Sequence, residues 1–142
     1  MRIRDLDLGR VFFARLCHGE DIILQIAHLA AENAVKTGYF SAIGSFSRAE
    51  LGYYDQATRE YRRIPVEEPV ELACCSGNIS LFNGRPFVHA HAVLSDRTGR
   101  TWSGHLSCGT VFAAEVYLQE LCGQLLQRVL DPGTGLNLWG EE

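Results

Sequence analysis

The chain has 142 residues, of which 46% are hydrophobic and 21% charged, and its formal net charge at pH 7 is −4. This length and composition are typical of one soluble globular domain with a sizeable core. The acidic balance argues against unaided binding to nucleic acid, because such binding needs a basic surface. Charged residues at the start exclude a secretory signal, and no apolar stretch is long enough to span a membrane.

The first third of the chain predicts a strand followed by a helix. Residues 10–17 contain a short apolar run that is typical of a strand. Asp21 is a candidate helix N-cap, and the apolar residues of the segment 22–37 recur at helical spacing. Gly38 stands where a glycine commonly ends a helix. We therefore expect one helix over residues 22–37.

The rest of the chain predicts strands. The candidate strands are residues 39–46, 48–55, 60–64, 70–82 and 110–118. Asn83-Gly84 is a strong hairpin signal between residues 70–82 and the β segment that begins at Pro86. Residues 120–129 fit either a helix or a final strand, because Gly123 interrupts a pattern of helical spacing. The fold class that follows is α+β, a mostly antiparallel sheet with one main helix near the N-terminus.

The cysteines indicate a reducing environment. The chain has five cysteines, an odd number, and no C-x-x-C pair. Their positions are Cys17, Cys74, Cys75, Cys108 and Cys122. We expect reduced, mostly buried thiols in a cytoplasmic protein.

Three histidines belong to one predicted hairpin. His89 and His91 are two residues apart and therefore share a face of their strand. If residues 97–99 form a three-residue loop, His91 lies directly across from His105. Gly99 is the residue that such a loop needs at its left-handed position. A loop of two or four residues would turn His105 to the other face.

Three clustered imidazoles suit a metal ion. Imidazole is the commonest metal-binding side chain, and three of them with a water make the open zinc site used in catalysis. Copper, iron and nickel also accept imidazole, so zinc is the first choice among several. The alternative is that these histidines are partly buried polar residues with ordinary hydrogen bonds.

Three carboxylates are candidates for supporting such a site. Glu71, Asp96 and Glu115 could orient an imidazole N–H from outside the ligand shell, although each could equally be a solvated carboxylate or form an ordinary salt bridge. Glu115 is also the candidate general base if a metal-bound water attacks an ester, amide or phosphate. No motif names a substrate, so whether the protein is an enzyme stays open.

Several short motifs together resemble those of one family. They occupy residues 19–21, 43–45, 51–55, 71–72, 77–79, 89–91, 104–106, 115, 128–131 and 134–136. In this order and spacing they resemble the PPC domain, the "plants and prokaryotes conserved" domain. The resemblance covers residues 10–138, so residues 1–142 are interpreted as a single domain. It implies one antiparallel sheet with a flanking helix, a homotrimer, and a metal, zinc by preference, at His89, His91 and His105.

The same resemblance raises a role in DNA binding or transcription. Plant members join the domain to AT-hooks, whose Gly-Arg-Pro core lies between basic residues and enters the minor groove. Here Gly84-Arg85-Pro86 lies between Asn83 and Phe87 at a predicted turn, so an AT-hook is not expected. Three hypotheses follow: a trimeric metal-binding domain with a small-molecule, protein-binding or regulatory role, a metal-dependent hydrolase, and a DNA-binding or scaffold protein.

Overall fold

A computed structural model of the chain describes residues 2–140 and confirms the α+β class. The elements in chain order are β1 (Leu6–Arg15), α1 (Ile22–Glu32), β2 (Gly38–Asp55), β3 (Glu60–Val66), β4 (Val70–Phe82), β5 (Arg85–Ser95), β6 (Thr101–Gly123), β7 (Arg128–Leu130) and β8 (Asn137–Trp139). Every strand pairing is antiparallel. Within residues 2–140, no helix combines the length and the apolar character needed to cross a membrane.

The main sheet closes on itself through β6. Its strand order is β1-β6-β5-β4-β2-β3, and β6 pairs with β2 as well as with β5 and β1. Strands β2, β4, β5 and β6 therefore form a closed ring, while β1 and β3 extend it at the edges. Strand β6 can take three partners because it is 23 residues long. Strands β7 and β8 form a separate two-stranded sheet.

Helix α1 covers the inner face of the sheet. Its buried residues are Ile22, Ile26 and Ala30, and the helix packs against β5 and β6. Asp21 caps it as predicted, because its Oδ1 accepts the Leu24 N–H at 3.0 Å. The other carboxylate oxygen accepts the Gly109 N–H at 2.9 Å, which fastens the start of the helix to β6.

The helix is shorter than the apolar spacing predicted. It ends at Glu32, with Asn33 as its C-cap, rather than at residue 37. The Asn33 amide donates to the Leu29 carbonyl at 2.9 Å, and Ala34 takes a positive φ of 55° that leaves the helical path. Gly38 therefore begins β2 instead of ending the helix.

Two strand boundaries also differ from expectation. The segments predicted as separate strands over 39–46 and 48–55 form the single strand β2, whose register to β6 shifts between Phe46 and Arg48. A bulge thus interrupts the alternation without ending the strand. In the ambiguous segment 120–129 there is no helix. Gly123 ends β6 with a φ of 125°, and β7 begins at Arg128.

The expectation of mostly buried cysteines is wrong. All five thiols are free, but only Cys75 is buried. Cys74 is its neighbour on β4 and is exposed, since successive strand residues point to opposite faces. Small apolar character alone did not reveal which face of the closed sheet each cysteine occupies.

Gly77 of β4 offers a test of the packing around the backbone of the sheet. A Cβ at this position would lie 2.2 Å from the His89 carbonyl oxygen and 2.6 Å from the Phe40 ring. We expect Gly77→Ala to lower the free energy of unfolding by about 1–3 kcal/mol, through overpacking. Gly133→Ala is the control, because its nearest contact would be 3.4 Å and its φ is not positive. Urea unfolding that gave equal stabilities for the two variants would contradict this packing.

Candidate metal centre

The turn between β5 and β6 sets the positions of the histidines. His91 pairs with His105 and Ser95 with Thr101, as the three-residue loop predicted. The Asp96 N–H donates to the Arg100 carbonyl at 3.0 Å, and Gly99 takes a φ of 84°. This register is the one that places His105 on the face of the sheet that carries His91.

The three imidazoles converge. One nitrogen from each of His89, His91 and His105 lies within 4.8 Å of the nitrogens chosen from the other two. Their ring centroids are 5.3, 5.4 and 5.6 Å apart. His89 and His105 are half-buried, whereas His91 is exposed. A tetrahedral ion with bonds of about 2.0–2.1 Å would draw these nitrogens closer and leave one position for a ligand.

The carboxylates considered as partners of the imidazoles lie elsewhere. Asp96 caps the turn by accepting the Thr98 and Arg100 N–H groups at 2.8 and 3.0 Å. Glu115 lies ten residues beyond His105 on β6 and is exposed, opposite Arg15 of β1. Within residues 2–140, no hydrogen bond joins Glu71, Asp96 or Glu115 to the three imidazoles. The structure therefore does not support the expectation that these carboxylates orient the imidazoles.

Arg128 is a neighbour of the centre that sequence reasoning missed. It is 6% exposed and donates to Ser80 Oγ at 2.7 Å, the Asn137 carbonyl at 2.8 Å and Asn78 Oδ1 at 3.0 Å. Asn78 is the cross-strand partner of His89. In the sequence it stands only within the short motif at residues 128–131, which assigns it no role, because it reaches β4 from a separate two-stranded sheet.

Tyr61 of β3 packs beside the candidate metal centre. Its ring centroid lies 5.2 Å from that of His105 and 5.0 Å from that of Tyr54. Strand β2 lies between β3 and β6 at this point, and its residue opposite His105 is Gly52. A Cβ on Gly52 would approach the Tyr61 ring to 3.0 Å, so the absent side chain lets the tyrosine lie across β2.

The surroundings of His89 and His105 favour the neutral form of these two imidazoles. Burial, reinforced by the positive charge of Arg128 and by the other two histidines, lowers the pKa of His89 to about 4. Burial, with His91 and Arg128, also lowers the pKa of His105. A neutral imidazole has a free lone pair, which is the form that binds a metal ion.

The donor set fits a transition-metal ion. The Nδ1 atom of His105 is buried and has no hydrogen-bond partner within residues 2–140. A buried polar atom without a partner is costly. A metal ion bound by the imidazole of His105 would give this ring a partner. Three neutral nitrogen donors with an open position are typical of zinc sites, in which the ion polarises a bound water or ligand.

Comparison with known proteins establishes the family. Residues 4–122 match the Plants and Prokaryotes Conserved (PCC) domain, abbreviated PPC above. The chain belongs to this family. Its fold superposes on the "metal-containing protein AF0104" of Archaeoglobus fulgidus with a TM-score of 0.96 and 38% identity, covering 99% of this chain and 100% of that one. A Pyrococcus horikoshii PPC protein gives 0.94 and 36%, covering 100% and 99%.

Two further relatives have descriptions of other kinds. A candidate DNA-binding protein of Ralstonia eutropha JMP134 has a TM-score of 0.81 and 28% identity, covering 92% of this chain and 90% of that one. A segment of the bifunctional protein GlmU of a Synechococcus strain is 33% identical over 129 residues, which is 89% of this chain. The chain spans only 20% of the length of that protein.

The lowered pKa of His89 predicts a stability profile for the metal-free protein. Below the ordinary histidine pKa of 6.5, the unfolded chain takes up a proton that folded His89 accepts only near pH 4. The free energy of unfolding should therefore fall as the pH drops from about 6.5 to about 4. Urea unfolding at several pH values should show a smaller fall for His89→Gln, because glutamine takes up no proton. Some fall should remain, because the pKa of His105 is lowered as well. Identical profiles for the two proteins would contradict the burial of His89.

Proposed function

We propose that this PPC-family protein binds one zinc ion through His89, His91 and His105. The observation that carries the proposal is the convergence of three imidazole nitrogens within 4.8 Å, all from one chain. The metal-containing description of the Archaeoglobus relative, at 38% identity over nearly the whole chain, supports it. Zinc is preferred among the metals that imidazole accepts because three histidines and an open position form one of its common catalytic sites.

Metal content of the purified, untagged protein tests this proposal. We expect close to one zinc per chain by elemental mass spectrometry. His91→Ala should weaken zinc binding at least about tenfold, since losing a ligand costs no less than losing a residue that orients one. His28→Ala is the matched control, because His28 lies on α1 and pairs with Glu32 instead. Unchanged zinc in His91→Ala with a folded chain would overturn the site.

We further propose that the protein is a homotrimer, as the resemblance to the family implied. The outer face formed by β1, β2 and β6 carries exposed apolar side chains: Val11 55%, Phe13 72%, Tyr39 48% and Ile43 60% exposed. Register places them together, because Phe13 pairs with Tyr117, and both Val11 and Tyr39 pair with Gln119. A contiguous apolar patch of this kind marks an interface. Copies of the chain would bury it.

The mass in solution tests the trimer. The wild-type protein should have three times the 15.8 kDa chain mass by light scattering. Phe13→Asp should shift it toward the monomer, because a charge in an apolar interface is costly to desolvate. Leu24→Asp is the control, since Leu24 is 70% exposed and belongs to α1, not to the three strands that form the patch. A wild-type monomer, or a trimer in both variants, would contradict the proposed interface.

The biochemical role that fits this centre is the binding of a small molecule, or a regulatory contact made through it. Hydrolysis would need a general base, and the candidate Glu115 lies away from the histidines. DNA binding has in its favour the Ralstonia relative, but the net charge of −4 opposes contact with a phosphate backbone.

Four exposed free thiols fit a reducing compartment, so we propose that the protein acts in the cytoplasm.

A further inference from the structure

Arg128 holds a buried positive charge beside the three histidines. Its guanidinium carbon lies 4.9 Å from the centre of the Phe87 ring. Phe87 precedes His89 by two residues on β5, so both side chains point to the same face. Asn78, which accepts from Arg128, pairs with His89 across the sheet. The guanidinium therefore lies beside His89, one of the proposed ligands.

This charge has no counter-ion in the part of the chain described. The ion pairs among residues 2–140 involve Arg10, His28, Arg62 and Arg63. All three hydrogen-bond partners of Arg128 are neutral oxygens, from Ser80, Asn78 and the Asn137 backbone. A buried charge is costly unless it is compensated, so an unpaired guanidinium next to a ligand site is unusual for a purely structural residue.

A bound metal would make the centre still more positive. Neutral imidazoles do not offset the charge of a divalent ion, and within residues 2–140 no carboxylate hydrogen-bonds to any of them. An ion held by the histidines would add its charge to that of the nearby guanidinium, among half-buried side chains where water screens charges poorly. The group that best occupies the open coordination position of such an ion carries a negative charge on oxygen.

We propose that the open position of this centre binds a small oxyanion, the carboxylate or phosphate group of a ligand, and that Arg128 is the residue that selects it. The proposal rests on the proposed metal site. Of the five guanidinium N–H groups, three are accounted for by the contacts above, so two are available to an anion. The Phe87 and Tyr61 rings would form the walls around it.

A structural role for Arg128 is the competing explanation. Its bonds to Ser80 and Asn78 fasten the small β7–β8 sheet to β4, and its bond to the Asn137 carbonyl joins β7 to β8. Arg128→Lys separates the two roles, because lysine keeps the charge but lacks the planar fork that makes three directed hydrogen bonds. If the charge selects the ligand, Arg128→Lys retains most of the anion affinity. If only the hydrogen bonds matter, lysine and glutamine are equally poor.

The test titrates the metal-loaded protein with acetate and with inorganic phosphate. Calorimetry on the zinc form and the visible spectrum of the cobalt form would each report ligand binding at the metal. We expect at least one anion to bind the wild type and to bind Arg128→Gln about 10–100-fold more weakly, the usual loss for a charge-assisted hydrogen bond. Arg128→Lys should stay closer to wild type. Arg48→Gln, an exposed arginine of β2, removes the same charge elsewhere and should change little.

Metal content measured in the same samples separates the two proposals. A wild-type protein without metal overturns the metal site and this inference together. Metal-loaded wild type that binds neither anion overturns the inference alone, as does equal anion affinity in wild type and Arg128→Gln. If Arg128→Gln does not fold, Arg128→Lys decides: anion binding near the wild-type level supports the inference, and its loss in a folded, metal-loaded protein overturns it.

Discussion

The structure of the candidate centre depends on the register between β5 and β6. Asp96 holds the three-residue loop closed through its side chain, and Gly99 supplies the left-handed residue that the loop needs. Because side chains alternate along a strand, a slip of one residue would point His105 into the core. The same register directs the long strand β6 onward toward β2 and β1, so the turn that aligns the histidines also begins the closure of the sheet.

The closed sheet explains why the centre has two kinds of environment. The inner face is filled by side chains of β2, β4, β5 and β6 and by helix α1, which leaves the histidines on the outer face. There, the small β7–β8 sheet brings Arg128 against β4, and β3 brings Tyr61 across Gly52. His89 and His105 are thus half-buried although they face outward, and their neutrality follows from that partial burial.

Local signals predicted much of this arrangement, and packing between distant segments decided the rest. The pairing of His91 with His105 could be predicted because it depends on one turn and on strand parity. The end of α1 could not, because the Asn33 cap competes with apolar residues that still fit a helix. Nor could the remoteness of Glu115, since the sequence does not show that residues 101–123 form one continuous strand, along which Glu115 lies ten positions from His105. Arg128 reaches the centre from a separate sheet, which no spacing in the sequence shows.

The long strand β6 makes some contacts with residues close to it in the sequence and others with residues far from it. The histidines span only residues 89–105, whereas the pairing of β1 with β6 joins Leu6 to Gly123. Contacts close in sequence form quickly, and those that close long loops form slowly. We therefore expect the hairpin that carries the three histidines to assemble well before the N-terminal strand docks. An ion captured by that hairpin would be present while the rest of the sheet closes around it.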